Sequence, residues 1–174
     1  MSRDIVSEPQ RSIVRESGDT YCDLTGVKTD LTAAGQVSGT RIRLFVSRDI
    51  PNPEALMQTH QLPIQRFANT VILPLASIFR LDPSSISVFC DSAGPLIAFN
   101  RGGALYLNAR YYLAWHDQAV MMGESSEAMI SWFFSLAHEL AHNAVAEHNS
   151  EHEFYFSSIC ETFMMELAKA LSSR

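Results

Sequence analysis

From Ser125 to Ala146 the chain reads as a helix that must be buried, and this segment constrains the fold more than any other. Met129, Ile130, Trp132, Phe133, Phe134, Leu136, Ala137, Leu140, Ala141, Ala144 and Val145 cover nearly every side of it, the pattern of a helix enclosed by its own domain. Ser125 and Ser126 are candidate N-caps, with Glu124 and Glu127 near the positive end of the helix dipole. Against this apolar background, Ser131, Ser135, His138, Glu139 and His142 fall within about 100° of one another at the helical period. A narrow polar stripe on a buried helix needs partners, because unpaired buried polar groups are costly.

Within the stripe, His138-Glu139-Leu140-Ala141-His142 has the form HExxH. Residues four apart on a helix are offset by about 40°, so the two histidines face the same way and can grip one metal ion. Glu139 lies about 100° round from His138, within reach of a water on the metal without being a ligand itself. The chemistry this predicts is hydrolytic. A zinc ion would lower the pKa of its water toward about 7 and polarise a carbonyl. Glu139 would take the proton as general base and pass it to the leaving amine of a peptide bond.

A hydrolytic zinc site takes three protein ligands and leaves one position for water. His148, six residues after His142, is the expected third ligand. On an unbroken helix it would point about 240° away from His142, so the chain must break between Asn143 and Glu147. A second helix is expected just beyond, started by a capping box at Ser150-Glu151-His152-Glu153 or by Asn149 as N-cap. His152, near the start of that helix, and Glu161, 19 residues after His142, are rivals for the third position.

The run His138 to Asn143 followed by His148-Asn149 resembles the active-site segment of minimal zincin metalloproteases, the WLM, SprT-like and YgjP-like families. The resemblance covers about residues 105–165 and implies a compact zincin-like α+β fold: a small sheet, the HExxH helix and a C-terminal helix. It also implies Zn2+ as cofactor, His148 as third ligand and a protein or peptide substrate. One departure stands out: where a single Phe is expected four residues after His148, the aromatics are displaced to Phe154 and Phe156. Metzincins share the histidine spacing but place Gly where this chain has Val145, and a β-branched residue resists the positive φ such a turn needs. Met164 and Met165 lie in a helical pattern and make no separate Met-turn. The stretch from His148 through Tyr155-Phe156-Ser157-Ser158 further resembles the C-terminal end of large fungal proteins that carry a histidine-kinase-type ATPase module, which would make the chain one domain of a longer parent. The alternative to an enzyme is a non-catalytic zinc-binding or docking domain of such a protein.

The 174 residues suit one domain with a core of its own. Residues 1–39 are polar with four glycines and read as a poorly ordered tail or wrapping arm with room for a short strand; residues 40–174 hold the catalytic domain. Thr40 to Ser47 alternates as a half-buried strand, Pro51 and Pro53 punctuate a loop, and a helix runs from about Leu62 to Phe79 with a break or kink at Pro74. Asp82 to Ser85 is a turn, Ile86 to Cys90 a strand, and Leu96 to Phe99 leads through the turn Asn100 to Gly103 into Ala104 to Leu107. That last strand is the expected sheet edge beside the cleft, able to pair with an extended peptide. A final helix spans about Glu151 to Leu171. Net charge is −6, and Arg41, Arg43 and Arg48 form only a modest basic cluster, so no nucleic-acid surface is evident. No apolar run approaches the roughly 18 residues of a membrane span, and Met1 to Gly18 has no apolar signal segment. With Cys22, Cys90 and Cys160 scattered and unpaired by any CxxC, an intracellular setting, cytoplasmic or nuclear, is expected. His116, Tyr111 or Tyr112 could donate to an oxyanion, with core packing the competing reading.

Overall fold

In the computed structural model, which describes residues 30–173, the alternation expected at Thr40 to Ser47 becomes strand β2 (Arg43–Ser47). Ile42, Leu44 and Val46 are buried while Arg41 and Arg43 stay exposed, as a period of two requires. The short strand allowed in the N-terminal arm is β1 (Leu31–Gln36), antiparallel to β2; of the tail or arm expected over residues 1–39, residues 1–29 lie outside the described residues. Strand β3 (Ile86–Cys90) is buried at every position and pairs in parallel with β2 on one side and with β5 (Ala104–Asn108) on the other. Continuous burial is what a parallel strand covered on both faces demands.

One strand placement differs from expectation. β5 is not an edge: it lies between β3 and β4 (Ala98–Arg101), and the sheet order is β1-β2-β3-β5-β4. β3 claims the inner side of β5, so the hairpin folds β4 outward to the end of the sheet. Its two-residue turn is Gly102-Gly103 at φ 60° and 89°, a backbone that side-chain-bearing residues resist, and it sets Arg101 opposite Ala104.

The expected helix at Leu62 begins nine residues earlier. Asn52 caps it, its Oδ1 accepting from Ala55 N at 3.1 Å, and Pro53 sits at the first helical position, where its missing N–H costs nothing. Helix α1 (Pro53–Arg66) passes through a wide π-helical turn (Phe67–Ile72), in which Leu73 N–H reaches back to Ala68 O, into α2 (Leu73–Phe79). The helix therefore continues through Pro74 rather than breaking there. By length and composition this 27-residue rod is apolar enough to cross a membrane, yet it runs through the core, with Phe67, Ala68, Val71, Ile72 and Leu75 fully buried.

Two short helices went unread in the sequence, α3 (Ala109–Trp115) and α4 (Asp117–Met121). They precede the buried helix α5 (Ser126–Ala141) and the long C-terminal α6 (Ser150–Ser172). The core forms where the α1–α2 rod, α3, α5 and α6 meet one sheet face. Phe67 stacks on Tyr112 at 4.3 Å and tilts against Trp132 at 4.9 Å; Phe79 meets Phe133 at 4.8 Å and Phe163 at 5.2 Å. Burying each such ring stabilises the fold by about 1.5–3 kcal/mol. Arg66 makes a two-pronged bond to Asp117 at 2.9 and 2.8 Å, and Tyr112 Oη donates to the same carboxylate at 2.8 Å, tying α1 to α3 and α4. A smaller cluster, Phe89, Leu96 and Phe99 with Phe45 and Tyr106 packed on it, forms a second apolar centre. The architecture is α+β, a mixed five-stranded sheet with helices, as the sequence led one to expect.

Candidate metal centre

Everything at the site depends on how α5 ends. A helix leaves its last four carbonyls without intrahelical partners, here those of His138, Glu139, Leu140 and Ala141. Each is met differently. Ala141 O accepts from Ala144 N and Val145 N at 3.1 Å, and Leu140 O accepts from Asn143 N at 3.0 Å. Glu139 O takes His142 N at 3.2 Å and the side-chain amide of Asn100, from β4, at 2.8 Å. His138 O takes the ring of His152 at 3.1 Å. The break that the His148 spacing requires is thus present, with the helix ending at Ala141, slightly ahead of the expected window. Asn149, not Ser150, caps α6, its Oδ1 accepting from His152 N at 2.9 Å.

Four histidines converge behind this break. His148 Nε2 lies 3.1 Å from His138 Nε2 and 3.0 Å from His142 Nε2. Nitrogens of His138, His142 and His152 also lie within 4.8 Å of one another, and this partly buried group could hold a metal ion. Two trios therefore share His138 and His142, one completed by His148 and the other by His152. Nitrogens on a tetrahedral zinc, bonded at about 2.0–2.1 Å, stand about 3.3–3.4 Å apart. The His148 trio approaches that figure. In it, His142 Nδ1 lies 2.9 Å from Val145 O; a carbonyl only accepts, so Nδ1 carries the proton and Nε2 presents a lone pair.

The electrostatics keep His138 and His142 neutral. Burial, followed by the neighbouring imidazoles of His152, His142 and His148, pushes His138 from its ordinary 6.5 down to about 3. His142 is lowered as well, burial again the largest cause, against a counteracting bond to the Val145 carbonyl. Neutral imidazole is the form that binds a metal. Glu139, on the same helical turn, is fully buried.

The remaining candidates part company with the cluster. Glu161 is exposed on α6, nine residues past His152 and so about 13 Å along the helix axis. Tyr111 Oη donates to Gly94 O at 2.8 Å and Tyr112 Oη to Asp117, so both hydroxyls serve the scaffold. His116 is buried at the α3–α4 junction, where burial lowers its pKa, and its Nε2 has no partner among the described residues. Asn100 is the site residue that sequence reading passed over as a turn. Its Nδ2 also reaches Asn143 Oδ1 at 2.7 Å, and its Oδ1 accepts from Gly103 N at 2.9 Å, so one side chain anchors the β4–β5 hairpin onto the last turn of α5. Only its place between an apolar strand and a Gly-Gly turn hinted at this.

Comparison of the chain with protein-family models, with curated proteins and with solved structures finds no match.

Proposed function

We propose that the chain is a zinc-dependent peptide hydrolase of the minimal zincin type, with His138, His142 and His148 as metal ligands and Glu139 as general base. The observation that carries this reading is the approach of three imidazole Nε2 atoms, with His148 3.0–3.1 Å from the other two, beside a fully buried carboxylate on the same helical turn. Imidazole nitrogen suits zinc, and when bound the ion supplies Lewis acidity to a water and a carbonyl. The trio with His148 is preferred over that with His152 because His148 Nε2 stands closer to its partners, at 3.0–3.1 Å. Three ligands leave a coordination position open, which a purely structural site would close.

Within this scheme each residue has a definable task. Glu139, held by burial and by its helix, takes a proton from the attacking water and returns it to the leaving amine. Val145 O fixes the tautomer of His142. Asn100 holds β4 at the level of Glu139. β4 ends the sheet, and an extended peptide could add to it as a further strand, which favours a peptide over other hydrolysable bonds.

The test joins metal content to cleavage. Wild type and Glu139→Gln should each hold near one zinc per chain and His148→Ala almost none. Wild type alone should cleave members of a mixed peptide library followed by mass spectrometry. Cleavage by Glu139→Gln at the wild-type rate would sink the assignment of the base, and a zinc-free wild type after refolding with metal would sink the reading as a whole.

A further inference from the structure

We infer that Phe134, Ile130 and Phe156 form an apolar subsite beside the metal, which seats a bulky apolar side chain of the peptide substrate and so selects the bond that is cut. The inference rests on the hydrolase reading and adds to it the class of peptide. Helix α5 is enclosed by the domain except along one stripe. On that stripe Ile130 is 41% exposed and Phe134 39%, whereas Met129, Trp132, Phe133 and Leu136 of the same helix are buried. A single exposed apolar side chain is ordinary, but two on successive turns leading to a metal ligand make a patch. Phe134 stands one turn, about 6 Å along the axis, before His138, and Ile130 one turn before that.

Viewed down α5, Phe134 and Ile130 lie about 40° and 80° from His138, on the side away from Glu139. Helix α6 supplies the third group there. Phe156 stands 6.3 Å from Phe134 and edge-on to the His138 imidazole at 6.1 Å, centroid to centroid. On the opposite side Asn100 ties β4 to Glu139 and Asn143. The open stripe of α5 is therefore bounded by an apolar flank and by the end strand of the sheet. A peptide added to β4 turns alternate side chains toward α5, about 6.6–6.8 Å apart along the strand. That spacing matches the rise from His138 to Phe134, so the side chain against Phe134 belongs within two residues of the scissile bond. An aliphatic or aromatic side chain gains by burial against this wall, and a charged one loses its hydration there.

The experiment profiles cleavage of a mixed peptide library, with every natural residue equally frequent at each position, by the zinc-loaded full chain. Wild type, Phe134→Ala, Phe134→Lys and Leu62→Lys are compared, the last changing an exposed apolar residue of α1. Zinc per chain and unfolding temperature are measured on each, and Phe134→Ala carries the test should the charged variant unfold. Wild type should favour Leu, Phe or Met over Asp and Glu within two positions of the cut by about 10–200-fold in kcat/KM, the discrimination a hydrophobic pocket provides. Phe134→Ala should lose most of that preference and Phe134→Lys should turn it toward Asp and Glu, while Leu62→Lys keeps the wild-type profile. Affinity of a fluorescent copy of the best-cleaved peptide for Glu139→Gln protein should fall by a similar factor when Phe134→Lys is added, a readout that needs no turnover. A wild-type profile indifferent to apolar residues near the cut, or one that neither Phe134 variant alters, overturns the inference alone. So does a Leu62→Lys profile shifted as far as that of Phe134→Lys, which makes the effect one of net charge. Wild type that holds zinc and cleaves no member of the library overturns the hydrolase reading and this one together.

Discussion

Replacing Asn100 by Asp, a change of one atom, should destabilise the protein more than cutting the side chain back to Ala. The amide makes three bonds: Nδ2 donates to Glu139 O at 2.8 Å and to Asn143 Oδ1 at 2.7 Å, and Oδ1 accepts from Gly103 N at 2.9 Å. A protein hydrogen bond contributes about 0.5–1.5 kcal/mol net, and the two exposed ones here belong at the low end, so Asn100→Ala should cost about 2 kcal/mol. Asp keeps the acceptor for Gly103 N but turns the donor into an oxygen facing two other oxygens. It also adds a negative charge at the C-terminal end of α5, where the helix dipole is already negative and a charge is worth about 0.3–1 kcal/mol. Two lost bonds cost about 1.5 kcal/mol, the oxygens left facing one another about 1 more and the charge about 0.5, a sum of about 3 kcal/mol. Urea unfolding of the metal-free protein at pH 7 measures it: with a slope of about 1–3 kcal/mol/M, the Asp midpoint should lie about 0.3–1 M below that of Ala. An Asp variant as stable as Ala, or more so, would show that the amide does not donate to the helix end and that the hairpin is held some other way.

Two further outcomes follow from the same site. Acidification should weaken the metal-free fold well before its carboxylates protonate. His138, His142 and His116 all have folded pKa values lowered by burial, so the unfolded chain binds more protons below about 6.5 and stability falls from there toward about 3, where His138 itself protonates; an unfolding midpoint that is flat between pH 6.5 and 4.5 contradicts those lowered values. Added zinc at about 100 times its dissociation constant should stabilise the chain by about 2.7 kcal/mol, raising the unfolding temperature by about 5–11 °C for a domain of this size; the same rise in His148→Ala would exclude His148 from the ligands.

Much of this site was legible in the sequence because it is local. The histidine spacing, the polar stripe on an apolar helix, the need for a break before His148 and the start of α6 near Asn149 all depend on residues within a few turns of one another. What stayed hidden depends on partners far away in the chain. No local pattern says that β5 takes β3 as a parallel neighbour, and that pairing alone decides that β4 is the edge. The bond from Asn100 to Glu139 O spans 39 residues, so Asn100 read only as a turn former. His152 read as a rival for the third ligand, and nothing local showed the carbonyl it meets 14 positions back. At Pro53 the error was one of sign: a proline that ends one helix is equally suited to open another, and Asn52 was the clue.

The wide turn in the α1–α2 rod solves a problem of phase. The rod's buried positions, Ile64, Phe67 and Ala68, Val71 and Ile72, Leu75 and Ala76, and Phe79, recur every four residues. An α-helix repeats every 3.6, so four residues overshoot a full turn by about 40°, and three such repeats would carry the stripe about 120° round the rod. The π-helical turn, with its bonds reaching five residues back, takes more residues per revolution and winds part of that drift back again. It works as a vernier between the two ends, letting Phe67 meet Tyr112 and Phe79 meet Phe133 from one continuous helix. Shortening the turn by one residue would leave both helical ends intact and set them out of step.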